Sequence, residues 1–534
     1  TRRSLVQVQP PQPLKSTDFG RNQCFSSFYD LREDYVLTEN QEIEKWESKA
    51  KNNQYCQYDR LPVLLKRYSF AEKMRICYEY SSKILQKGNL RSPESFRGCP
   101  FPFTLETFLM LSVEAIEYQN DSFVGKKGYD RFFDMINAIW HYIPSELENL
   151  QSQPFIDWYL SLAPLTQFYY QQNYWILYYR YHYFFTFKNE QIDVPYHFYS
   201  CFGTYYDKFL HCGVLLYYLI FSGKPIPQDE MQKILTQQYP TVTMQLSISR
   251  DEYIKLQCQA TKNQSADEYI FSLRPSYTYS FIEFNNKYYF PLPHLLPRNI
   301  TSSLFYRLTE GNDTLRSALG KNVIEQYVYE IVSQSNCYAD VLREVTYNGP
   351  KGTQAQSPDL IARHENSILL LECKSTVPSI GMRTLSDETY RKTQTRLAEH
   401  IVQLYKGIQN FGQYDPFENL QISKDNIWGC VILLEDPYIR RENIYSQVLN
   451  LLNIPSSSDE ATWIMQHIKI IDLYQLETLC FSSNSIIDAI KETNTTGEVT
   501  AIPLKVSGSL KLTNKAFLQF RSSTVLNIRN SITC

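Results

Sequence analysis

"SPDLIARHENSILLLECKS", residues 357–375, is the stretch whose reading decides the fold. It reads as a short strand, a polar turn, and a second strand that is apolar over residues 368–371. That second strand ends in Glu372 and Lys374, flanking Cys373. Side chains alternate along a strand, so Glu372 and Lys374 share one face and Cys373 points the other way. Asp359 begins the first strand, and if the two strands pair as a hairpin its carboxylate comes near Glu372 at the sheet end. Two carboxylates there repel each other and are costly to desolvate unless a cation sits between them. Lys374 neutralises part of that charge. A hard divalent cation would neutralise more, taking carboxylate oxygens and keeping several waters, as magnesium prefers.

Working outward, residues from about 312 run helix, strand, strand, strand, helix, strand, strand. The helix "LRSALGKNVIEQYVYEIVSQS" comes first and the strand "YADVLREVTYN" follows. After the opening stretch come a long helix, "SDETYRKTQTRLAEHIVQLYKGIQNF", and two strands, "NIWGCVILLED" and "HIKIIDLYQLETL". Such a run predicts an α/β sandwich, a mixed sheet flanked by helices. Residues 20–240 read mainly as helices, punctuated by prolines. "TVTMQLSIS" (241–249) alternates like a half-buried strand, Asn285-Asn286 suggests a hairpin turn, and three prolines from Pro291 to Pro297 suggest a linker. The expected organisation is an extended N-terminal arm (1–19), a large helical domain (20–240), a connector containing a β-hairpin (241–311), the α/β domain (312–485) and a C-terminal extension (486–534).

Composition narrows the function classes. The chain has 53 basic and 56 acidic side chains, a net charge of −3, so no global positive field recruits nucleic acid and binding must rest on a local patch. The 12 cysteines show neither a CxxC pair nor a His/Cys cluster at zinc spacing, which argues against structural zinc and a disulfide framework. There is no Walker A motif. The most hydrophobic stretch, "FLHCGVLLYYLIFSG" from Phe209, is too short for a membrane span and holds His211, so a buried helix is expected. The N-terminus lacks the apolar run of a secretory signal, and a cytoplasmic protein without membrane partners is expected. "FYYQQNYWILYYRYHYFFTF" (168–187) carries 12 aromatics in 20 positions around Arg180. Aromatics on every helix face point to core packing, with a base-stacking surface as the alternative.

The opening stretch resembles the PD-(D/E)xK nuclease superfamily, the restriction-endonuclease-like fold. Pro358-Asp359 matches its PD and Glu372-Cys373-Lys374 its ExK, and the resemblance covers roughly residues 312–480. It implies a Mg2+-dependent endonuclease, with Mn2+ able to substitute, in which Asp359, Glu372 and Lys374 are catalytic. In that family a helix before the sheet often supplies a further acid, here Glu325, which would join Asp359 and Glu372 on the metal. The helix after the ExK strand often carries a glutamine and basic residues, here Gln403 with Arg391, Lys392 and Arg396 to grip the nucleic-acid backbone. DNA is expected over RNA, in a setting of prokaryotic antiviral defence, with the helical domain recognising, sensing or assembling with a partner or a second copy. Two rivals remain open: an effector nuclease held inactive by its helical domain until a partner or ligand binds, and a non-catalytic nucleic-acid-binding or scaffold protein with a relic nuclease fold. For Asp359, Glu372 and Lys374 the plain alternative is an ion pair at a sheet end. His364, in the hairpin turn, is expected to be a surface residue.

Overall fold

The structure, a computed structural model, describes residues 57–86, 99–117, 119–140, 172–221, 228–261, 274–348, 354–378, 387–417, 422–495 and 511–533. The expected N-terminal arm lies outside them. The described residues fall into two compact units, one drawn from those within 57–140, 172–173 and 199–307, the other from those within 174–198 and 308–533. Strands are numbered β1 to β10 in chain order.

In the first unit the helices Phe70–Gln86, Pro102–Glu114 and Gly125–Trp140 bury Met74, Phe108, Phe132 and Ile136 in a shared core. The apolar stretch from Phe209 lies in the helix Tyr206–Phe221. No helix among the described residues is long and apolar enough to cross a membrane. A small sheet joins β1 (Ser247–Ser249), β2 (Phe281–Phe284) and β3 (Lys287–Tyr289) in that order. Asn285 and Asn286 make the β2–β3 turn at φ of 50° and 58°, the left-handed region that asparagine tolerates and a two-residue hairpin turn needs.

Two expectations for this unit fail for physical reasons. Residues 240–246 are a helix, Pro240–Leu246, and not a strand. Pro240 opens it with its fixed φ, and the apolar pair Val242 and Leu246 suits the i,i+4 spacing of a helix while Met244 is exposed. The proline-rich segment 291–300 is not a linker, because every residue in it is buried. His294 anchors it, bonded through Nδ1 to Ser81 Oγ (2.7 Å) and through Nε2 to Glu106 Oε1 (3.1 Å).

The second unit holds a five-stranded sheet in the order β10-β9-β8-β7-β4, made of β4 (Asp340–Arg343), β7 (Leu360–His364), β8 (Ser367–Lys374), β9 (Ile427–Leu433) and β10 (Ile468–Asp472). β4, β7 and β8 are antiparallel neighbours; β8, β9 and β10 run parallel. The long helix Asp387–Gln409 makes the crossover from β8 to β9, as parallel neighbours require. The chain is thus a mixed helix-and-sheet protein with its mixed sheet in the C-terminal half. β8 is buried on both faces because it is the central strand, which is why its apolar run is continuous where an edge strand would alternate. Ile368 and Leu370 pack with Leu397, Ile401 and Leu404 of the long helix, so the even-numbered face of β8 is the one that this helix covers.

Three local differences matter for the site. "YADVLREVTYN" is not one strand: β4 stops at Arg343, and β5 (Thr346–Asn348) turns away to pair with β6 (Gln354–Gln356). Ser357 Oγ accepts from Val345 N–H (2.9 Å) at that break. "HIKIIDLYQLETL" stops being a strand at Asp472, whose side chain and Gln475 form a capping box that starts the helix Leu473–Phe481. The helices Ile486–Thr495 and Lys515–Thr533, together with Tyr174–Thr186, belong to the second unit, although the sequence reading put them in an extension and in the helical domain.

Candidate active site

The β7–β8 hairpin brings the two carboxylates together. Leu360 pairs with Leu371, so Asp359, one residue earlier, falls opposite Glu372. Asp359 Oδ2 accepts a hydrogen bond from Cys373 N–H at 2.6 Å, which fixes it on the end of β8. Glu372, 3% exposed, holds its Oε1 between two donors: Lys374 Nζ at 2.6 Å and Gln403 Nε2 at 2.7 Å. Asp359, Glu372, Lys374 and Gln403 are therefore one contiguous cluster. Gln403 is exposed overall, but its Nε2 is turned inward onto Glu372.

The long helix can reach so far because Gly407, one turn beyond Gln403, sits against Pro358. A Cβ there would meet Pro358 Cγ at 2.9 Å, closer than real side chains come. Gly407 thus sets the distance between helix and hairpin, and with it the place of Asp359. On the opposite side, a π-helical turn (Gly320–Ile324) interrupts the helix between Asp313–Leu319 and Glu325–Ser333. Such turns shift the helix phase. Gly320 faces the Ser375 side chain at the end of β8 (3.3 Å to its Oγ from an added Cβ), and Glu325 follows directly after the turn.

Electrostatics set the character of the cluster. Burial, and then the nearby Asp359 charge, pushes the Glu372 carboxyl up to about 7, with Lys374 offsetting part of the rise. Burial also raises Asp359, against the pull of the Cys373 N–H bond and of Lys374. Glu325 rises to about 8, through burial first and then the charges of Asp359 and Glu344. Glu344, which the sequence reading missed, extends the row: Arg343 pairs with Leu360, so Glu344 falls opposite Asp359 as Asp359 does opposite Glu372. Its signal was present as an acid just past the strand, hidden because that strand was read as running on to residue 348. Burial and the Asp359 charge raise Glu344 as well. Cys373 points away from Glu372, and burial holds its thiol well above the ordinary range.

The donor set suits a hard cation in chemistry, since Asp359 and Glu372 are desolvated, mutually repelling carboxylates that a divalent ion would compensate. Among the described residues no three His, Cys, Asp or Glu side chains form a metal-holding group, so these two would bind such an ion with waters completing its shell. Glu325 shares their field without joining a three-ligand group.

The remaining candidates lie apart. Arg391, Lys392 and Arg396 are exposed on the first half of the long helix, Lys392 paired with Glu388 Oε1 at 2.5 Å. His364 ends β7 and bonds through Nδ1 to the Cys337 carbonyl (2.7 Å), a structural contact. In the aromatic block, the helix Tyr174–Thr186 buries Tyr178, Tyr181, Phe184 and Phe185. Its Arg180 gives two hydrogen bonds to Glu477 (2.8 and 2.5 Å), a carboxylate that also accepts from Tyr327 O–H (2.7 Å). Arg180 is committed to the core and cannot interleave with bases. No family model, curated protein or solved structure matches the chain.

Proposed function

We propose that the chain is a metal-dependent nuclease of the restriction-endonuclease-like kind, a DNA endonuclease in prokaryotic defence against foreign DNA. The observation that carries this reading is the meeting of Asp359, Glu372, Lys374 and Gln403 at one sheet end, with both carboxyl groups pushed upward. An ion pair kept only for stability needs neither a second, half-buried carboxylate nor a glutamine on the same oxygen. The order of elements supports it too: a helix, an antiparallel trio β4-β7-β8, a crossover helix, and β9 parallel to β8.

In this reading Asp359 and Glu372 would hold Mg2+ or Mn2+, which would supply Lewis acidity toward a phosphoryl oxygen and a water of lowered pKa. Lys374 offers its ammonium to the negative charge that develops on the phosphoryl oxygens. Gln403 and Lys374 share Glu372 Oε1 and hold that carboxylate in one rotamer.

The test is incubation of the full chain with plasmid, linear duplex, single-stranded DNA and RNA, each with magnesium, manganese, calcium or EDTA. Cleavage is expected with the first two metals only. Lys374→Ala should lose about 10²–10³ in rate, the usual cost of one such electrostatic contact, while still binding manganese. Full activity in EDTA would refute the site.

A further inference from the structure

The helix face that carries Gln403 has two more members. Arg396, His400, Gln403 and Gly407 follow at spacings of four, three and four, a single stripe along an α-helix. Two of them fix the stripe against the sheet: Gln403 on Glu372 and Gly407 on Pro358. His400 is therefore one turn beyond Gln403 toward the helix start, and Arg396 one turn further. His400 is half-buried, and its Nε2 is buried without a hydrogen-bond partner. Buried polar atoms in folded proteins nearly always have partners, and the exceptions gather at sites with a missing ligand or water.

Its surroundings say what kind of ligand is missing. Burial first, and then the positive charges of Lys374 and Arg396, lower the His400 imidazole to about 4. The ring is thus neutral at pH 7, a hydrogen-bond donor and acceptor between two cations. A metal ion would be repelled there, and a second cation has nothing to pair with. An oxyanion would meet an ammonium, a guanidinium and an imidazole N–H.

We propose that Lys374, His400 and Arg396 form a phosphate subsite beside the Asp359–Glu372 pair, in which His400 donates an imidazole N–H to a phosphate oxygen. Rotation about the soft χ2 torsion of histidine brings the ring nitrogen to the anion. The identity of that phosphate as part of a nucleic-acid backbone rests on the nuclease reading; the anion chemistry does not. Lys374 then serves two anions, Glu372 and the phosphate, which places the subsite directly next to the scissile bond.

Inorganic phosphate is the probe. The imidazole resonances of His400, one of 8 histidines, are followed in the metal-free full chain at pH 7 and assigned by their loss in His400→Gln. Phosphate should move them saturably in the millimolar range, and sodium chloride at equal ionic strength should not. Arg396 is exposed, so Arg396→Gln leaves folding intact and should weaken the phosphate response at least about threefold, the loss of one charged contact. No saturable movement, a movement matched by chloride, or one unchanged in Arg396→Gln overturns the subsite. Magnesium-dependent cleavage of DNA by the parent is scored separately. Phosphate binding without cleavage would retain the subsite and remove the nuclease reading; cleavage without a phosphate response would do the reverse.

Discussion

Glu372 is the residue on which charge, stability and the proposed metal meet. Its carboxyl is raised from 4.5 to about 7, so the metal-free fold favours the neutral form. The stability this contributes is complete below about pH 4.5 and is lost as pH rises through 7. On the order of 3 kcal/mol is at stake, from a rise of roughly two and a half pH units. Melting curves in EDTA should therefore fall between pH 5 and pH 8, and Glu372→Gln should flatten part of that fall and melt higher at pH 8. Asp359 and Glu325 are raised as well and keep the rest of the slope. Identical pH slopes in parent and variant would show that Glu372 is an ordinary ionised carboxylate. Magnesium should bind more tightly as pH rises through 7, because the ion needs the carboxylate that the metal-free fold protonates. The pairing of Asp359 with Glu372 was legible in the sequence, because alternation and a short hairpin fix which side chains share a sheet end. His400 was not, since an unpartnered ring nitrogen leaves no mark on spacing.

The long helix carries two predictions at the level of the element. Gly407→Ala sets a methyl 2.9 Å from the Pro358 ring, which is rigid and cannot turn aside. Overpacking of this kind costs about 1–3 kcal/mol, against up to about 1 kcal/mol regained in helix propensity. The urea midpoint should drop, and cleavage should fall further than stability alone explains, because Asp359 moves with Pro358. A variant as stable and active as the parent would free Gly407 from that role. Replacing Arg391, Lys392 and Arg396 together by alanine should weaken nucleic-acid binding and flatten its salt dependence by about 0.7–0.9 in slope per lost phosphate contact. An unchanged slope would leave them as a solvated face, as the Glu388–Lys392 pair already is in part. The helix and its neighbouring strands were legible because their apolar periods are long and unbroken. The π-turn at Gly320–Ile324 was not, since its register is decided by the close approach of Gly320 to Ser375. The helix at residues 240–246 was misread because Val242 and Leu246 satisfy both periods, and only Pro240 breaks the tie.

At the scale of the molecule, the second unit is discontinuous in sequence, and Arg180 makes a buried ionic contact, one among the several that hold its early piece to the rest, with Tyr183 on Glu330 and Tyr179 against Phe481 and Phe517. Arg180 and Glu477 are both buried, and burial raises the Glu477 carboxyl while Arg180 holds it down. Arg180→Leu would leave that carboxylate alone among apolar groups, at a cost of about 3–5 kcal/mol, as for other broken buried pairs. Urea denaturation of the variant should show the loss, larger at pH 8 than at pH 5, where Glu477 can take up a proton. An unchanged midpoint would mean that Tyr327 alone satisfies Glu477. No local pattern marks this arrangement, because a partner almost three hundred residues away leaves no period or motif to read. The same separation has a consequence in the making of the chain. Arg180 and Glu477 lie 297 residues apart, and ribosomes add roughly 5–20 residues per second. The helix Tyr174–Thr186 therefore leaves the ribosome roughly 15–60 seconds before its carboxylate partner does, at those rates. Through that interval a guanidinium and a band of aromatic rings must wait without their own core. The first unit can be assembled from residues already made, but the second cannot close this pair until Glu477 has been added. A chain cut short between the two residues would leave Arg180 without its carboxylate, so this join is made late by the order of translation itself.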